Sequence, residues 1–167
     1  MILWQEAESA LVRDGALWDV FVQNTDVADW QRVLDEIENR TFTVVYNAAE
    51  EDQPIASAAE IFALESESVP LPSLFVWDRG TRFNSYFEVD EIMFDVHPRD
   101  VYDQETLNHL ADFMMLLGNA TQKIVRVSPD NLHDFVFLTY SPSDNKFHIT
   151  PIPPVPPDAA GADDFDE

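Results

Sequence analysis

Apolar residues recur along this chain with two periods, and the switches between them divide it into strands and helices. Residues 17–22 read as a strand. Asn24, Thr25 and Asp26 supply a helix N-cap, and Val27, Trp30, Val33, Leu34 and Ile37 follow at helical spacing. Residues 41–46 are β-branched and aromatic, so they predict a second strand. The opening is a βαβ or β-α-hairpin unit with Trp30 as the main core anchor of its helix. A polar, acidic loop over 47–54 leads to Ser57 and Glu60, spaced as a capping box before Ile61, Phe62 and Leu64. Pro70 and Pro72 keep that helix short. Residues 74–77 and 81–89 predict a hairpin around Asp78-Arg79-Gly80, with Gly80 in the left-handed position. Ile92, Phe94 and Val96 alternate as a further strand that Pro98 ends.

The longest helical pattern begins near Asp103. Leu107, Leu110, Met114 and Leu117 form its stripe, widened by Ala111 and Phe113, and Gly118 reads as the residue just past its end. Strands over 123–127, 135–140 and 146–150 follow, the last two joined by a hairpin loop at 141–145. The whole reads as an α+β domain over 1–150, a mainly antiparallel sheet of about five to seven strands with two main helices and one short helix packed on it. Residues 1–15 read as a loosely packed leader, and 151–167 as a Pro-rich, then acidic, disordered tail.

Charge changes this picture most. Thirty-two Asp and Glu face nine Lys and Arg, a formal net charge of −23, and Lys123 and Lys146 are the only lysines. Five of the acids lie in the last ten residues, so most of the surplus belongs to the folded body. Such a chain repels phosphate backbones and anionic membranes and attracts cationic partners. The absence of cysteine removes disulfides, thiolate nucleophiles and cysteine-ligated zinc, and suits a reducing, cytoplasmic setting. The first residues lack the basic and apolar regions of a signal peptide, and no apolar run reaches membrane-spanning length.

Catalytic motifs are missing. The four glycines never cluster, so neither a P-loop nor a dinucleotide fingerprint is present, and there is no G-x-S-x-G elbow. His97-Pro98-Arg99-Asp100 brushes against a kinase catalytic loop without the other kinase signatures. The most crowded polar stretch is 88–97. Asp95 and His97 there supply a carboxylate and an imidazole on one strand face, which suits a divalent metal or an acid–base pair. The plainer reading is a solvated sheet face opposite buried Ile92, Phe94 and Val96. Glu105, His109 and Asp112 read as the outer face of the long helix, and His133 and His148 have no acidic partner at suggestive spacing. Trp77, at a hairpin end, suits core or interface equally, and Trp4 lies outside the predicted core as a partner contact.

Acidic side chains two apart on a strand are spaced roughly 6.5–7 Å, close to the repeat of phosphates along a nucleic-acid strand. Glu88 and Asp90, adjoined by Glu91 and Asp95, fit such a surface, and Asp29, Asp35, Glu36 and Glu38 read as the non-core side of the first helix. The candidate partner-binding residues are therefore Asp29, Glu36, Trp77, Glu88, Asp90, Glu91 and Asp95. Through residues 19–37, 86–100 and 116–131 the chain resembles in type the small acidic immunity proteins that bacteria carry against their own toxins. That resemblance implies stoichiometric binding to a basic toxin domain, often a nuclease, without catalysis, and assigns no individual residue. The expectation is a non-enzymatic acidic binding protein with a basic protein partner and with no cofactor, metal, nucleic acid or membrane. The alternatives are a metal-dependent hydrolase using Asp95 and His97, and a salt-adapted domain with no specific partner.

Overall fold

Strand β1 (Trp18–Gln23) is buried on both faces along nearly its whole length, which puts it inside a sheet rather than at an edge. In the computed structural model, which describes residues 1–48, 51–67 and 69–151, it pairs antiparallel with β6 (Glu91–Val96) and β7 (Val125–Pro129). Outward from that centre run β2 (Thr43–Ala48), β3 (Glu51–Gln53), β4 (Ser73–Asp78), β5 (Thr81–Ser85), β8 (Leu138–Ser141) and β9 (Lys146–Ile149). The order is β3-β2-β4-β5-β6-β1-β7-β8-β9, with every pairing antiparallel. The α+β class and the antiparallel sheet stand, with nine strands among the described residues in place of the expected five to seven. Eight of them fall where a strand was read, and the ninth, β3, forms within the stretch read as an acidic loop. Of the two openings expected, the βαβ stands in split form: β1 and β2 run parallel with α2 as their crossover, while β4, β5 and β6 lie between them, so the two strands form no hairpin and do not pair.

The helices are α1 (Trp4–Ala7), α2 (Val27–Glu38), α3 (Ala58–Ser66) and α4 (Gln104–Thr121). The last three each start in a capping box, built on Asp26 and Asp29, Ser57 and Glu60, and Asp103 and Thr106. Trp18, Val20, Val22, Phe83, Ile92, Phe94 and Val96 on the strands meet Trp30, Val33, Leu110, Phe113 and Leu117 on α2 and α4 in one core. Phe113 stacks on Phe83 with centroids 3.9 Å apart and meets the edge of Phe94 at 5.0 Å. Trp30 holds the position its periodicity predicts, and its indole N–H donates to the Glu88 carbonyl at 2.6 Å. The Arg79-Gly80 turn between β4 and β5 has positive φ at both residues (47° and 102°), the hairpin geometry that only glycine adopts without strain at the second position.

Two expectations about packing change. Helix α4 does not end at Gly118; it runs to Thr121, and Gln122 takes the left-handed cap at φ 57°. Gly118 is glycine for another reason, since a Cβ there would lie 2.7 Å from the Tyr140 ring. Nor is the leader loose. Ile2, Ala7 and Leu11 join the core, the Trp4 backbone N–H donates to Gln104 Oε1 at 2.7 Å, and the Trp18 indole N–H donates to the Val12 carbonyl at 2.7 Å. Trp4 itself is half-buried, with the Arg13 guanidinium 5.9 Å from its ring centre. Among the described residues, no helix is long and apolar enough to cross a membrane. The Pro-rich and acidic tail from residue 152 onward lies outside the described residues.

Candidate functional site

Alternation along β1 sends Trp18, Val20 and Val22 to the helices, and Asp19 and Phe21 to the opposite, open face. On β6 the same alternation buries Ile92, Phe94 and Val96 and leaves Glu91, Met93 and Asp95 half-buried on that open face. The register sets Asp19 directly opposite Asp95, with Ser128 of β7 on its other side. Two carboxylates thus face one another at the middle of the sheet, an arrangement that costs energy unless something neutralises it.

Asp19 is only 2 % exposed. Burial pushes its carboxyl above the usual carboxylate range, and the Asn131 amide and His133 offset part of that rise. Both come from the segment that links β7 and β8. Asn131, in the left-handed conformation at φ 58°, turns the chain so that its N–H donates to Asp19 Oδ2 at 3.0 Å. Two residues on, His133 places Nε2 at 3.2 Å from the same oxygen and Nδ1 at 3.8 Å from Glu91 Oε1. Its ring lies flat on Phe21.

Glu91 is pushed upward chiefly by burial; His133 pulls it back, and the neighbouring charges of Glu88, Asp19 and Asp90 add to the rise. Asp95 is raised by burial and by Asp19, while the Asn84 amide, donating at 2.8 Å, pulls it back. A groove of about 380 Å³ opens beside this group, lined by Glu88, Glu91, Met93, Asn131, His133 and Asp134. Chemically, it can hold a proton between imidazole and carboxylate, or receive an ammonium or guanidinium group.

The candidate residues separate into two sets. Glu88, Asp90 and Glu91 cluster at one end of the sheet, with Asp95 further along the same strand as Glu91. Glu88 and Asp90 are not on a strand, however; they lie in the connection between β5 and β6, so strand rise does not set their spacing as the phosphate-mimic reading requires. That connection is pinned by Thr25, whose amide donates to the Asp90 carbonyl at 3.1 Å and whose hydroxyl donates to the Val89 carbonyl at 2.9 Å. Both acidic side chains point to solvent.

Asp29 is a correction. It is 2 % exposed, not on the outer side of α2, and is neutralised from within by Arg32 and by Lys123 Nζ at 2.8 Å. Burial alone would raise its carboxyl; the Lys123, Asp26 and Arg32 contacts outweigh that and hold it below the usual range. Glu36 is half-buried on α2 and faces Arg40 at 3.8 Å. Trp77 is half-buried on β4, tilted against Phe75 with centroids 6.1 Å apart, and does not line the groove.

Asp95 and His97 do not assemble a metal site. Asp95 accepts from Asn84, and His97 Nδ1 accepts from the Arg99 amide at 3.1 Å to start the short 3-10 turn at Pro98–Asp100. Among the described residues, no three His, Asp or Glu side chains gather as metal ligands. His109 is also not on an outer helix face: it is 2 % exposed, with Nδ1 3.0 Å from the Thr81 hydroxyl and Nε2 without a partner.

Sequence reasoning passed over Asp19, Asn84, Asn131 and His133. Asp19 had a signal, a lone charge inside the apolar run 17–22. His133 had none, because its partner Asp19 is 114 residues away. No protein-family model matches this chain, and no curated protein or solved structure matches it.

Proposed function

We propose that this protein is a non-enzymatic acidic binding protein that neutralises a basic protein partner, which docks at the Glu88–Asp90–Glu91 end of the sheet. The observation that supports this reading is uneven neutralisation. Asp29 has two cationic partners from its own chain, whereas among the described residues no Lys or Arg ion pair reaches Glu88, Asp90, Glu91 or Asp134. Glu91 and Asp19 are held protonation-prone by burial and like charge, so an incoming cation relieves repulsion that the fold leaves standing. Net charge steers the approach, and the groove defines where it ends.

A basic toxin domain, including a nuclease, is the partner class that the resemblance to immunity proteins suggests. A cytoplasmic setting belongs to the same proposal, in keeping with the cysteine-free sequence. Binding of octa-arginine at low salt, compared between the native chain and the Glu88→Gln/Asp90→Asn/Glu91→Gln variant, tests the reading. The expected result is marked weakening in that variant and little change in Asp35→Asn/Glu38→Gln. Equal weakening in both, or no binding at low salt, overturns it.

A further inference from the structure

The groove holds one potential cation of its own, and its placement is specific. The His133 ring lies parallel to Phe21, a contact that sets the plane in which its two nitrogens lie. Nε2 faces the buried Asp19 carboxylate at 3.2 Å and Nδ1 faces Glu91 at 3.8 Å. Protonated imidazole has a hydrogen on each nitrogen, so it hydrogen-bonds Asp19 and stands in ion-pair range of Glu91. Neutral imidazole has one. Asp19, shut away from water, holds that hydrogen, and the Nδ1 lone pair is then turned toward the Glu91 carboxylate.

The charges around the ring come from four elements. Asp19 faces it from β1 and Glu91 from β6. Glu88 and Asp90 stand in the connection before β6, and Asp130 and Asp134 flank it on its own segment. Arg126 of β7 stands in register with Phe21 beneath the ring. Among the described residues, Glu91 has no ion-pair partner other than His133.

We infer that His133 is a proton-operated gate on the acidic groove: protonated, it occupies Asp19 and Glu91 together; neutral, it releases Glu91 to a cation of the partner. This rests on the proposed binding of a basic partner and adds its regulation. Binding the partner's Lys or Arg at Glu91 then displaces a proton from His133 to solvent, so affinity rises as pH rises. No bond other than N–H is made or broken.

Octa-arginine titrated at low salt between about pH 5 and 8, the range in which imidazole ordinarily changes charge, is the test. The native chain is expected to bind roughly twofold to fivefold more tightly at the upper end, the scale of a partly exposed ion pair. The midpoint should coincide with the titration of the His133 ring followed by NMR in the same sample. His133→Gln keeps a donor for Asp19 but cannot change charge, and should lose the rise. Glu91→Gln leaves the His133–Asp19 pair in place and should lose it too, which covers the case in which His133→Gln fails to fold. A rise of the same size in both variants, or a flat profile in the native chain, overturns the gate and leaves the binding reading intact. Absence of binding at every pH removes both.

Discussion

His133 lies flat on Phe21, with ring centroids 4.0 Å apart and planes 11° from parallel. This contact explains why Phe21 is fully buried although it points away from the helices. It also fastens the segment between β7 and β8 over Asp19. His133→Ala should uncover Phe21 and leave Asp19 with one donor fewer, at a cost of about 1–2 kcal/mol. Urea unfolding at neutral pH measures it, and an unchanged midpoint would show that the stack contributes nothing.

Asp95 should oppose folding when ionised. Its carboxyl is raised in the folded chain by burial and by Asp19, so the native state binds its proton more tightly than the unfolded state. Its stabilising contribution is complete below the unfolded value and is lost as pH rises through the folded one. Asp95→Asn keeps an acceptor for the Asn84 amide and removes the charge, so it should melt about 2–4 °C higher at pH 7. The advantage should shrink on acidification as native Asp95 protonates. Melting curves at pH 7 and pH 4 compare the two.

Asp29 should behave in the opposite sense. Its carboxyl is lowered in the fold, so its contribution is present above the unfolded value and lost as pH falls through the folded one. Asp29→Ala removes the N3 half of the capping box and two ion-pair contacts, and should cost about 1–2 kcal/mol at pH 7. Repeating the denaturation at acid pH should narrow the gap, and a constant gap would contradict the assignment.

Gly118→Ala offers the test of the α4–β8 contact. A methyl group there meets the Tyr140 ring at 2.7 Å and a Val125 methyl at 3.3 Å. Alanine gains helix propensity over glycine, roughly 1 kcal/mol, but overpacking a buried site costs about 1–3 kcal/mol. The balance predicts net destabilisation that Tyr140→Leu in the same chain partly reverses. If Gly118→Ala is more stable than the native protein, the contact is looser than described.

How much of this was legible in the sequence follows from the range of each signal. Local devices were: the Ser57–Glu60 capping box, the Arg79-Gly80 turn, the Trp30 anchor and the alternation of Ile92, Phe94 and Val96 all depend on neighbours within a few residues. Gly118 shows where local reading fails, because a glycine near a helix end looks like a terminator until a ring from β8 is placed against it. Asp29 fits an amphipathic outer face until Lys123, 94 residues away, is brought to it. His109 fails in the same way, through Thr81. The site itself was half legible. Glu88, Asp90 and Glu91 crowd together in sequence, but the buried carboxylate and the imidazole that complete the group come from β1 and from the segment after β7, and only the sheet order joins them.

The most direct test of the central claim is a map of backbone amide shifts on adding octa-arginine at low salt. Binding at the groove predicts that the largest changes fall on Glu88, Asp90, Glu91, Asn131 and His133, and fade as salt is added. Changes spread evenly over Asp35, Glu65, Glu105 and Asp112 as well would show attraction to net charge alone, and would contradict a defined acidic binding site.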